Sequence, residues 1–165
     1  MPDLLGSLIE AFEEAARQDG PLPRVRAADQ LGHKLVGQQL CTAMVFDRAT
    51  MTVQRLFSSR PNEYPVGGRK PKRDTAWGRQ VLLEARRFEG EGEEAIRKHF
   101  ADHDVILGLG LRSIVNAPII LGGSCVGTLN MLWPDPVLTT ERIEVARLLA
   151  LLAAPDWSMA GAERN

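Results

Sequence analysis

A chain of 165 residues is the length of one domain, which excludes two catalytic domains in tandem. With 44% hydrophobic and 25% charged residues its composition is globular, and at this size folding buries about two-thirds of the unfolded surface without help from metals or disulfides. The net charge of -1 excludes a protein built for non-specific binding to nucleic acid, which needs a clear excess of Lys and Arg.

Taken in chain order, Leu4, Leu5, Leu8, Ile9, Phe12, Ala15 and Ala16 recur at helical spacing opposite Glu10, Glu13, Glu14 and Arg17, and Gly20-Pro21 ends the pattern. This predicts an amphipathic helix in residues 1–20. Its acids leave no basic n-region for a secretory signal, and no apolar run approaches the roughly 20 residues of a membrane span, so a soluble, cytoplasmic protein without a membrane partner is expected. A second helix is predicted over Arg24–Val36, ending at Gly37. Leu40–Phe46 and Met51–Phe57 read as a hairpin.

From Ser58 to Lys72 the periodicity gives way to Pro, Gly and basic residues, a loop long enough to suggest a use. Thr75–Leu83 reads as a short helix capped by Asp74, Arg86–Phe88 as a brief strand, and Glu91–Phe100 as a helix with acids first and bases last. Two apolar, β-branched runs between Ser113 and Trp133 flank Gly122-Gly123, which predicts a central hairpin with a primed turn, covered on both faces and bulged beside Pro118. Thr139 or Thr140 caps a last helix with Ile143, Ala146, Leu149 and Ala153 on one face, stopped by Pro155.

This order makes an α+β protein on an antiparallel sheet. The run GLGLRSIVNAPIILGGSCVGTLNMLW and the later TERIEVARLLALLAA resemble the second half of a GAF domain, with its Gly-Leu-Arg-Ser start, proline-bearing strand, glycine turn, Gly-x-Leu-Asn strand and terminal helix. Residues 24–102 follow the same order. The resemblance implies a five- or six-stranded antiparallel sheet, terminal helices on one face and a ligand pocket under the middle region on the other. It divides the chain into an N-terminal helix at 1–20, a GAF domain at 21–156 and a C-terminal tail at 157–165. GAF domains typically sense small molecules and signal through terminal helices to an output domain. With no room for one here, a separate output protein or self-association is expected.

If the Pro118 bulge lengthens its strand by one residue, Asn116 stands with Thr128 and Ile114 with Asn130 on the side that the family turns to its pocket. Asn116, Thr128 and Asn130 are then either polar groups on an apolar pocket floor or amides that satisfy nearby backbone. The segment 60–73 carries Arg60, Arg69, Lys70, Lys72 and Arg73 against Glu63 alone, which suits a small polar or anionic ligand, with Arg69 taken as the contact, or simply a solvated loop. Aromatic residues make up only 5% of the chain, yet Tyr64, Trp77, Phe88 and Phe100 all fall in the middle region, as core or as ligand-stacking rings. His99 and His103 lack a third ligand, so no metal site is expected.

Stand-alone GAF enzymes exist as free methionine-(R)-sulfoxide reductases, which need middle-region cysteines and carboxylates on the pocket strands. Here there is no cysteine between Thr42 and Ser124, and Ile114, Asn130 and Leu132 stand where that family carries the carboxylates. Cys41 and Cys125 are placed near opposite ends of neighbouring strands, roughly 20 Å apart at about 3.3 Å per residue. The cysteine of bilin-binding members and the Asn-Lys and Asp-Glu elements of cyclic-nucleotide members are also missing, so no cofactor is indicated. The expected function is a non-catalytic, small-molecule-binding regulatory module, homodimeric through Leu5, Leu8, Ile9 and Phe12 with Leu148, Leu151 and Leu152. A ligand-free dimeric scaffold is the alternative from another class.

Overall fold

The computed structural model describes residues 3–162. Helices α1 (Leu4–Ala16) and α2 (Pro23–Val36) come first, followed by strands β1 (Leu40–Asp47) and β2 (Thr52–Ser58). A short strand β3 (Arg69–Pro71) and a π-helical segment (Gly78–Leu83) lead into β4 (Phe88–Glu91), α3 (Gly92–His99) and α4 (His103–Gly108). The chain closes with β5 (Ser113–Leu121), β6 (Ser124–Trp133), α5 (Thr140–Ala153) and α6 (Pro155–Ala162). The strands form one six-stranded antiparallel sheet in the order β3-β2-β1-β6-β5-β4, so the expected α+β sheet is present at the upper strand number.

The predicted central hairpin lies at the heart of this sheet, β6 between β1 and β5. Gly122 and Gly123 make its turn at φ of 59° and 81°, the left-handed pair that a primed two-residue turn requires. Its bulge is not beside Pro118. Ile119 pairs with Gly127 and Ile120 with Cys125, so the extra residue is Val126 on β6, and β5 runs straight through its proline. The expected facings survive but the pairings move by two: Asn116 stands opposite Asn130 and Pro118 opposite Thr128. A proline fits because β4 ends its pairing with β5 at the Phe88–Asn116 pair, which leaves Pro118 on an open stretch of strand edge.

Two apolar cores flank the sheet. Cys41, Ala43, Val115, Leu129 and Met131 project to one face, against Val25, Ala28 and Leu31 of α2 and Val145, Ala146 and Leu149 of α5. Alternate residues Leu40, Phe46, Val53, Ile114 and Leu132 project to the other, under Tyr64, Trp77, Val81, Ile96 and Ile106. This division is the period-2 pattern of the strands made solid. A bulge at Leu56 puts Arg55 opposite Met44 on the second face and Phe57 opposite Ala43 on the first.

The C-terminal stretch differs from its expectation. Pro155 does end α5, but it is also the first residue of α6, a position where its fixed φ and missing N–H cost nothing. Residues 157–162 are therefore helix where a tail was expected; residues 163–165 lie outside the described part. Trp157 is buried and its indole N–H donates to the Met44 carbonyl at 2.9 Å. Gly127 permits that approach, since a Cβ there would fall 2.1 Å from the Met44 oxygen and 2.2 Å from the indole nitrogen. Asp156 accepts the backbone N–H groups of Arg24 and Val25, both at 2.9 Å. Those are first-turn amides of α2, whose own cap residue, Leu22, has no side chain to offer them.

Candidate functional site

A single line of side-chain hydrogen bonds crosses the sheet on the face away from the terminal helices. Trp77 Nε1–H donates to Asn116 Oδ1 at 3.0 Å, Asn116 Nδ2 to Asn130 Oδ1 at 2.6 Å, and Asn130 Nδ2 to Thr42 Oγ1 at 3.0 Å. The line thus joins the start of the π-helical segment to β5, β6 and β1 through groups that are all buried. Neighbouring backbone is engaged in the strand ladders, so the amides pair with each other rather than with main chain. Above them lies a cavity of about 40 Å³, walled by Met44, Ile114, Leu132, Ile106 and Phe100 and by the Trp77 ring.

Its rim is ionic. Arg55 from β2, Lys70 from β3 and Lys72 just beyond it surround one carboxylate, Asp102, at the turn between α3 and α4. Lys70 Nζ donates to Asp102 Oδ2 at 2.8 Å, the Tyr64 hydroxyl donates to the same oxygen, and Arg55 Nη2 stands 3.6 Å from it. The Arg55 guanidinium stacks on the Tyr64 ring at 3.7 Å and ties down the loop through the Pro65 carbonyl at 2.7 Å. The Arg55 side chain is only 10% exposed, and its buried Nε has no hydrogen-bond partner among the described residues. The Lys72 ammonium lies 5.0 Å above the Trp77 ring.

The balance of burial and charge sets the protonation states. Burial opposes ionisation of Asp102, but the hydrogen bonds from Lys70 and Tyr64 and the Lys70 charge outweigh it and hold the carboxyl below its usual range. Burial and then the Asp102 charge push the Tyr64 phenol well up, so it remains a donor. Burial and the Lys70 charge push the Lys72 ammonium down, against the pull of Asp102.

Of the residues singled out in the sequence, Asn116, Asn130, Tyr64, Trp77 and Phe100 meet at this cavity, together with Lys70 and Lys72 of the basic segment. Thr128 shares their sheet face one pair further on, opposite Pro118 and Met44, but is not part of the wall, and its buried hydroxyl has no hydrogen-bond partner among the described residues. Phe88 stands one layer back, edge-on to Phe100 and His99 at centroid distances of 5.8 and 4.7 Å. Arg69 points away: Lys70 pairs with Val53, whose side chain lies in the cavity-side core, so strand alternation turns Lys70 inward and Arg69 outward. Arg55 and Asp102 escaped the sequence reading, although alternation from Val53 was the available signal for Arg55. His99 ends α3 and His103 begins α4, and among the described residues no three His, Cys, Asp or Glu side chains are grouped as a metal would require.

The two thiols lie in different layers, Cys41 in the core under the terminal helices and Cys125 in the core on the cavity side. Burial raises both above the ordinary thiol range, Cys41 with the added push of the Asp29 charge.

An antiparallel sheet with the helices of both termini on one face, and a polar cavity under short helices on the other, defines the class of α+β domain to which this chain belongs. The GAF domain profile matches residues 26–155, and the chain belongs to that family. The fold resembles the GAF domain of a phosphoenolpyruvate-protein phosphotransferase from Coxiella burnetii, with TM-score 0.75 at 15% identity over 98% of this chain and 96% of that one. It also resembles the corresponding Acinetobacter domain (TM-score 0.72, 13% identity, 98% and 97% coverage). The GAF domain of a two-component sensor histidine kinase from Bacillus halodurans is similar too (TM-score 0.69, 13% identity, 86% and 96% coverage). Among curated proteins none matches the chain. No helix of the described residues is long and apolar enough to cross a membrane.

Proposed function

We propose that this protein is a cytoplasmic, non-catalytic sensor module that binds a small polar or anionic molecule in the cavity above Asn116 and Asn130. It reports through its terminal helices, either as a homodimer or to a separate output protein. The observation that carries this reading is the cationic rim of Arg55, Lys70 and Lys72 over a buried, mutually bonded row of side-chain amides. A core that served packing alone has no need of that many polar groups, each of which costs desolvation. The similarity to a sensor histidine kinase domain supports the same direction. Thiols that are buried, raised and on opposite faces of the sheet weigh against redox catalysis of the methionine sulfoxide reductase type.

The test is native mass spectrometry of the purified protein together with thermal unfolding across a panel of metabolites. A retained small molecule, or a compound that raises the midpoint of the wild type and not of a folded Asn130→Ala variant, is the expected outcome. A protein that carries nothing and responds to nothing in the panel supports the ligand-free dimeric scaffold instead.

A further inference from the structure

We infer that Asp102 is a built-in occupant of the ligand site, a carboxylate latch that a small carboxylate-bearing molecule displaces. This deepens the sensor reading, on which it rests, by naming the chemical class of the ligand and the group it competes with. The first argument is occupancy. One Asp102 oxygen takes the Lys70 ammonium and the Tyr64 hydroxyl, with Arg55 within ion-pair distance. The site therefore already holds a carboxylate, presented by three donors of the kind that recognise one in a ligand.

The second is incomplete satisfaction. Asp102 is the only carboxylate among the described residues that line the cavity, against Arg55, Lys70 and Lys72. Arg55 is nine-tenths buried, yet its Nε is unpartnered, and its approach to Asp102 at 3.6 Å is longer than a hydrogen bond. A free carboxylate, not tethered to the α3–α4 turn, can settle into the guanidinium fork and take the bond that the tethered one leaves unmade.

The third is a way out for Asp102. Its side chain sits at the turn between α3 and α4 and is 19% exposed, so water can take up the carboxylate once a ligand has displaced it. The ligand shifts the latch by the difference between its affinities for the open and the closed site. Size follows from volume: about 40 Å³ is room for only a few waters, so the ligand adds a small group beyond the carboxylate it replaces unless the 59–68 loop lifts.

The experiment uses the full chain and its Asp102→Asn variant, with sodium acetate as the probe, sodium chloride at equal ionic strength and acetamide as controls. In the variant acetate should bind about tenfold tighter than in the wild type, the factor for a latch closed roughly nine-tenths of the time, and should raise the thermal midpoint with concentration. Chloride and acetamide should do neither, and adding Lys70→Met to the variant should abolish the acetate effect. Equal acetate affinity in wild type and variant, or an equal response to acetamide, overturns the latch. If Asp102→Asn does not fold, acetate restoring the folded state of it or of Asp102→Ser supports the latch, and no restoration in either overturns it. A wild type that retains a neutral metabolite, beside an acetate-blind variant, removes the latch and leaves the sensor reading standing. Absence of any ligand in both removes both.

Discussion

Asp102 makes the site acid-sensitive in a defined direction. The folded protein holds this carboxyl below its ordinary value through Lys70 and Tyr64, with the charges of Arg55 and Lys72 also facing it. The unfolded chain therefore binds the proton first as pH falls. The stabilisation is fully present above the ordinary aspartate value of about 3.9 and is lost as pH drops through the lower folded value. The hydrogen-exchange protection factors of the amides around Tyr64, with rates referred to the unfolded chain at each pH, should fall below about pH 4 in the wild type and show no such step in Asp102→Asn. An acid step that persists in the variant would assign it to another group. At this scale the sequence reading succeeded where alternation could be followed and failed where it could not. Asn116 and Asn130 were placed on one face because any one-residue bulge in the hairpin restores that parity, whichever strand carries it. Between Arg69 and Lys70 the sequence offers no such guide, because the three-residue edge strand that sets their facing lies in a segment that reads as loop.

Among the elements, α6 does more for the fold than its length suggests. Asp156, 1% exposed, supplies the cap that Leu22 lacks, so one side chain holds the start of α2 and the start of α6 together across more than a hundred residues of chain. Asp156→Ala should lower stability by about 2 kcal/mol, because it strands two helix-start amides in a poorly solvated place. Arg24→Ala, which removes only the 3.3 Å ion pair to the same carboxylate from a partly exposed guanidinium, should cost about 1 kcal/mol or less. Urea unfolding of the two variants checks the ratio, and equal losses would mean that the charge pair rather than the cap is what matters. No reading of residues 157–165 alone would have found this. The pattern after Pro155 is too short for a helical period, and its reason for being ordered is a partner near the other end of the chain.

For the whole molecule, the outer side of α1 is under-covered. Leu5 is 67% exposed, and Leu4 and Ile9 add to the same apolar character, while the exposed Leu151 of α5 stands apart beside Arg147 and Pro118. If this face closes a homodimer, the wild type should sediment as a dimer with a thermal midpoint that rises with protein concentration, whereas Leu5→Glu should sediment as a monomer with a midpoint independent of it. A wild type that is monomeric at every concentration defeats the proposed dimer and leaves a separate output protein as the receiver. The layering is legible in the sequence: strand periodicity, the double glycine turn and two-faced apolar runs are strong local patterns, and they point to a central hairpin in an antiparallel sheet and to the family, though not to the full strand order. The ionic rim is legible only in its basic segment with Lys70 and Lys72, because Arg55 and Asp102 come from distant segments that only the folded sheet brings to it.

Gly127 and Trp157 also carry a lesson for reading relatives of this chain. The indole can reach the Met44 carbonyl only because position 127 has no side chain, and a glycine in a central strand is otherwise a cost. The two positions are therefore sterically coupled: a side chain at 127 is compatible with this sheet only where residue 157 is smaller than tryptophan and the Met44 carbonyl has moved away, so the seat of the last helix is set by the absence of one methyl group in a strand.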